Sequence, residues 1–85
     1  MGKDSTDNAV YITYPTVKEG AKGQIVDQLQ IFLSKCGSKV QVSGIFNSGT
    51  RNAVIAFQKR NCLNPTGIVE DTTWARLLKL VCNIG

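Results

Sequence analysis

Three cysteines, six carboxylates, ten bases and no histidine set the chemistry open to this 85-residue chain. Without histidine there is no imidazole to serve as general base for a serine or cysteine nucleophile, and the commonest zinc ligand is missing. Cys36, Cys62 and Cys82 include no C-x-x-C pair, so a thiolate metal site lacks its usual spacing, and any disulfide would leave one thiol over. They read as reduced, partly buried packing residues, with one disulfide as the alternative. A glycosidase needs two carboxyl groups facing each other across a cleft. Of Asp4, Asp7, Glu19, Asp27, Glu70 and Asp71, only the adjacent Glu70-Asp71 pair falls in a repeated unit, and adjacent acids at a helix start read as cap and dipole partners. These residues point away from catalysis, and neither a cofactor nor a metal is expected. What remains is recognition. Arg51 suits a carboxylate that accepts two parallel hydrogen bonds, and Asn47, Asn61, Asn64 and Thr66 can both donate to and accept from amides.

Most of these side chains lie in or beside a stretch written twice. Gly44-Ile45-Phe46-Asn47-Ser48-Gly49-Thr50 is echoed by Gly67-Ile68-Val69-Glu70-Asp71-Thr72-Thr73, and each copy runs into an apolar pattern of helical period. Ser48 and Asp71 are the expected caps, each able to accept from the free N–H groups of a first turn. After them, Thr50, Ala53, Val54 and Phe57 in one copy and Trp74, Leu77, Leu78 and Val81 in the other recur at three- and four-residue spacing. An earlier stripe of Ile25, Val26, Leu29, Phe32 and Leu33 is opened by Gly20 and Gly23 and closed by Gly37. The spacing predicts helices near Gln24–Lys35, Gly49–Asn61 and Thr72–Val81. The fold class is all-α: a compact three-helix bundle with two repeated loop-helix units and a short extended N-terminal arm. Extended pieces are expected only around Val40–Phe46 and in the arm near Val10–Tyr14. Residues 1–9 read as a disordered tail, 10–16 as the arm and 17–85 as the domain.

The ordered phrases Gly20-Ala21-Lys22-Gly23, Val26, Leu29-Gln30, Leu33, Gly44-Ile45-Phe46, Thr50, Ala53-Val54, Phe57-Gln58, Leu63, Gly67-Ile68-Val69, Thr73-Trp74 and Leu77 resemble the three-helix peptidoglycan-binding domain. The resemblance spans Val17 to Leu78. It implies a compact noncatalytic module that docks onto bacterial cell-wall peptidoglycan, on the glycan strand or the peptide stem, together with a fused or separate hydrolase of phage or bacterial origin. A protein-interaction module that retains the fold is the alternative. The family often has Asp before each loop glycine and Gly two residues after the apolar triplet begins. Here Ser43 and Thr66 precede the glycines, and Asn47 and Glu70 replace the later Gly. Asn47 can keep a left-handed turn, whereas Glu70 must change conformation or accept strain. Cys62 stands where the family commonly has Gly, with Asn61 expected to take the left-handed cap.

Gln30 and Gln58 each follow a core residue in corresponding helices and read as partners for nearby loop backbone. Trp74 falls in the core stripe, and Phe46 is expected to seal the core while leaving a rim open to ligand. Ligand contacts are expected where the repeat loops converge, from Phe46, Asn47, Arg51, Asn61, Asn64 and Thr66. Helices two and three are separated by Cys62 to Glu70, too long a connection for a helix-turn-helix, so no specific nucleic-acid partner is expected. No apolar run approaches the roughly 20 residues of a membrane span, and the N-terminus lacks the apolar centre of a signal peptide. The expectation is a monomer without a membrane partner, synthesised in the cytoplasm, acting at the cell wall if released or exported and otherwise cytoplasmic.

Overall fold

A computed structural model describes residues 14–84, with side chains to residue 81. Its helices are α1 (Gln24–Lys35), α2 (Ser48–Arg60) and α3 (Asp71–Ile84). The expected tail and most of the arm lie outside the described residues. The core is the set the periodicity marks: Val26, Leu29 and Leu33 from α1, Val54 and Phe57 from α2, and Trp74 and Leu77 from α3, closed by Val17, Phe46 and Val69 from the connecting segments. Each fully buried aliphatic or aromatic side chain contributes on the order of 1.5–3 kcal/mol, most of it offset by chain entropy. Helix α1 is the hub, packing against both α2 and α3.

Each loop is fastened to the helix before it by one buried glutamine. The Gln30 amide Nε2 donates to the Ile45 carbonyl and the Thr50 hydroxyl, both at 3.0 Å. Its Oε1 accepts from the N–H groups of Ser43 and Gly44 at 2.9 and 3.0 Å. Gln58 repeats this in the second unit, donating to the Ile68 carbonyl and the Thr73 hydroxyl at 3.0 Å and accepting from the Gly67 N–H at 2.9 Å. Both glutamines and both threonines are buried, where an unpaired amide would be costly.

Between α1 and the loops runs the segment from Val17 to Gly23. Val17 and Val69 exchange backbone hydrogen bonds at 3.2 and 2.8 Å. Gly20 N–H donates to the Phe46 carbonyl, Phe46 N–H to the Ala21 carbonyl and Gly23 N–H to the Gly44 carbonyl, each at 2.9 Å. These two contacts, around Val17–Val69 and Lys22–Ile45, are the sheet-like pairing among the described residues. The stretch 40–43, expected to be extended, makes no such bridge. Just upstream, the Trp74 indole N–H donates to the Pro15 carbonyl at 2.9 Å, and its ring stacks on Tyr14 with centroids 4.5 Å apart. Trp74 is 2% exposed, a core residue as its spacing predicts.

Helix boundaries depart from expectation where caps decide them. The cap of α2 is Asn47 rather than Ser48: its carboxamide oxygen accepts from the Thr50 N–H at 3.0 Å, and its backbone is extended at φ −101°. A residue with that backbone aims its side chain at the first turn, whereas Ser48 is already helical. The left-handed turn expected of Asn47 is therefore absent, and Glu70 escapes strain as well, since Cys62 is the non-glycine residue with positive φ among those described. That cysteine corrects a further expectation. Asn61 is not left-handed (φ −106°), and Cys62 takes the left-handed position at φ 60°. Helices α1 and α2 end alike: Ser38 N–H reaches back to the Leu33 carbonyl at 3.0 Å, and Leu63 N–H to the Gln58 carbonyl at 2.8 Å. Gly37 (φ 97°) and Cys62 fill the same turn position, which glycine occupies without steric cost.

Two outcomes follow from this scaffold. Gln58→Leu leaves the Gly67 N–H without its acceptor and removes the amide donor from the Thr73 hydroxyl and from the Ile68 carbonyl, which keeps only the longer bond from the Thr66 hydroxyl at 3.3 Å. It should lower stability by about 2–4 kcal/mol in urea denaturation, whereas Lys59→Ala at the exposed neighbouring position should change it little. Cys62 is exposed, so Cys62→Gly removes left-handed strain with little packing loss. It should stabilise by about 0.5–1 kcal/mol, seen as a melting midpoint raised by roughly 2–8 °C under reducing conditions; an unchanged or lower midpoint would show that the turn carries no strain.

Candidate functional site

The two loops present matched surfaces because the same local devices build them. In each, a hydroxyl stands before the glycine and accepts from the N–H two residues on: Ser43 Oγ from Ile45 at 3.3 Å, and Thr66 Oγ1 from Ile68 at 3.1 Å. An Asp carboxylate in that position would accept the same bond, so Ser43 and Thr66 preserve the turn while removing two negative charges. The glycines that follow have φ of 78° at Gly44 and 79° at Gly67. Both are also covered by a side chain from the preceding helix. A Cβ on Gly44 would stand 3.1 Å from Asp27 Oδ1, and one on Gly67 would stand 3.1 Å from Arg51 Cγ and 3.3 Å from Ile55 Cγ1. Any side chain there would strain the backbone and collide with its cover.

The structure divides the expected ligand contacts into groups. Arg51 is exposed and lies across Gly67, next to Thr66, so these two share one surface. Asn47 is exposed at the start of the same helix, but its carboxamide oxygen is already bonded to the N–H and hydroxyl of Thr50. Asn61 sits at the opposite end of α2 and donates to the Phe57 carbonyl at 2.9 Å. Fourteen helical positions separate it from Asn47, about 21 Å along the axis. Asn64 is exposed, and its carbonyl accepts from the Thr66 N–H at 2.8 Å, so it stands beside Thr66, whereas Asn61 does not gather with Asn47. Phe46 needs correction: at 1% exposure it has no open rim. Its backbone is held on both sides by the Gly20–Ala21 segment, which turns the ring wholly into the core.

The residue that sequence reasoning missed is Asp27, half-buried on α1 with its carboxylate over Gly44. A signal for it exists in the repeat. Asp27 and Ile55 each stand three positions before the glutamine clamp, and Ile55 covers Gly67 as Asp27 covers Gly44. Two cysteines fall among the residues whose side chains are described, and both are free thiols. Burial pushes the Cys36 thiol above its ordinary range, against the opposing pull of the Arg60 guanidinium. Cys62 is exposed rather than packed, contrary to expectation, because the left-handed turn carries its side chain outward. The arrangement suits recognition by charged and amide groups set on a rigid frame.

A family model described as a peptidoglycan binding domain matches residues 22–77. Among solved structures, a peptidoglycan-binding protein from Clostridioides difficile, in complex with glutamine hydroxamate, is 36% identical with a TM-score of 0.78, covering 79% of this chain and 42% of its own. A Burkholderia AP3 phage endolysin is 36% identical with a TM-score of 0.73, covering 74% of this chain and 24% of its own. The SleB N-terminal domain is 30% identical with a TM-score of 0.77, covering 82% of this chain and 97% of its own. The chain thus spans less than half the length of the first two and nearly all of the third. The family match runs over well over half of the chain, which belongs to the peptidoglycan-binding domain family.

Proposed function

We propose that this domain binds bacterial peptidoglycan without catalysing its cleavage and holds a cell-wall hydrolase, fused or separate, at its substrate. The observation that carries the reading is the family match across residues 22–77. The likeness to a phage endolysin supports the link to a lytic protein. Among the candidate side chains, Arg51 is the best placed: it is exposed, and its stem rests on a loop glycine that the Gln58 clamp holds in position. A guanidinium supported in this way can take a peptide-stem carboxylate through two parallel bonds. Thr66 stands beside it and Asn64 is bonded to Thr66, whereas Asn61 sits at the far end of α2.

The affinity of one domain is low. An exposed surface with few aromatic anchors offsets little of the ordering and desolvation cost of binding a polymer, so useful retention comes from linkage to other domains or from several copies on one wall. The domain acts as a monomer at the wall, and its place of synthesis is the cytoplasm.

Sedimentation with purified walls freed of teichoic acid, at low salt, tests this reading. The wild-type domain should pellet with the walls. Arg51→Met keeps hydrocarbon over Gly67 while removing the charge, so it should reduce the pelleted fraction several-fold with a melting midpoint within a few degrees of wild type. Absence of pelleting by the wild type, alongside capture of one defined protein, would transfer the domain to protein recognition.

A further inference from the structure

Asp27 is a charge in a place that packing does not require. In the second repeat the equivalent position is Ile55, whose hydrocarbon covers Gly67; in the first, a carboxylate lies against Gly44 with Oδ1 and Oδ2 at 3.1 and 3.5 Å from where a Cβ would stand. The hydrogen bonds that hold loop 43–46 run through Gln30, Ser43 and the segment 20–23 instead. The bonds that hold loop 66–69 run through Gln58, Thr66 and Val17, leaving Arg51 outside them. Among the described residues both charged ends are therefore unspent. Each is also positioned, because its stem or carboxylate rests on a glycine whose backbone is clamped from within. The two loops beneath these charges are tied to the one segment from Val17 to Gly23.

We propose that the repeats carry a complementary pair of anchors, in which Asp27 takes a primary ammonium and Arg51 a carboxylate of the same ligand. The ligand class is a short peptide with a free amine and a free carboxylate, which deepens and rests on the wall-binding reading above. In peptidoglycan this describes a stem that has not been cross-linked, since a cross-link joins the amine of one stem to a carboxyl of another as an amide and removes both charges. The domain is accordingly selective for uncross-linked wall. Asp27 also stands in the first turn of α1, where a carboxylate favours the helix dipole. Stability alone therefore does not report its role, and ligand discrimination does.

The test is titration of the domain with a synthetic stem peptide bearing a free diamino-acid amine and C-terminal carboxylate, and with its N-acetylated and C-amidated forms. Wild type should bind the free peptide about 3- to 10-fold more tightly than either modified form, the range of a partly exposed charged contact. Asp27→Asn should bind the free and acetylated peptides equally while still distinguishing amidation. Arg51→Met should show the reverse pattern. Equal wild-type affinity for all three peptides, no binding of any, or retained amine discrimination in folded Asp27→Asn would overturn the paired anchors. Wall sedimentation by the wild type separates the failures: if walls still pellet the domain, only the anchors fall, and if they do not, the wall-binding reading falls with them.

Discussion

A primary amide sealed inside a protein must place its N–H groups and its carbonyl on partners, or it costs more than its burial returns. Gln30 and Gln58 meet that demand by taking the loop backbone and one threonine hydroxyl each. Much of the remaining structure follows. The loops must turn so that their N–H groups face inward, which calls for glycine at positive φ, and the next helix must begin where Thr50 or Thr73 can reach the amide. Loop length is free by comparison. Thirteen positions separate Gln30 from Ser43 and eight separate Gln58 from Thr66, yet both loops close on the same clamp. Five extra residues cost little in closure entropy, whereas a single missing amide partner would cost on the order of 1–3 kcal/mol.

The clamps join three helices into one unit because α2 takes part in both. It receives Gln30 through Thr50 at its start and supplies Gln58 near its end. The segment ahead of α1 completes the link by bonding to both loops, so neither loop edge is left unpaired there. That segment begins before the residues matched by the family model, yet Val17 belongs to the core and Pro15 receives the Trp74 indole. The cooperative domain thus extends at least to Tyr14, whose ring covers Trp74.

Much of this was legible from residue order. Helix α1 matches its expected span at both ends because glycines bracket it, and the helical stripes name the core. The glutamine roles were legible too, since a polar side chain beside a core position in two corresponding helices has few other fates. The failures are local competitions. Asn47 and Ser48 are both good caps, and only the backbone at Asn47 decides between them. Asn61 favours a left-handed turn more than Cys62 does, but the six-to-one bond from Leu63 to Gln58 sets the register, and the register assigns that turn to Cys62. Helix α3 runs to Ile84 because no glycine or proline interrupts it sooner. The Phe46 rim failed because alternation cannot tell a buried ring from one at an edge. Asp27 was hidden because an acid in a first turn already has an ordinary explanation.

The division between neutral and charged groups bears on how this surface can change. Among the described residues, the loops are held by amides, hydroxyls and backbone, all uncharged, so their geometry depends little on salt or on the sign of nearby side chains. Charges on the outside are then released from holding the fold. Replacing a loop Asp by Ser43 or Thr66 keeps the turn bond while changing the field at the surface, and Ile55 or Asp27 covers its glycine equally well. The same frame can therefore carry different charge patterns at small cost in stability. Here that freedom places a carboxylate over one loop and a guanidinium over the other, each resting on a glycine that the clamp beneath holds in position.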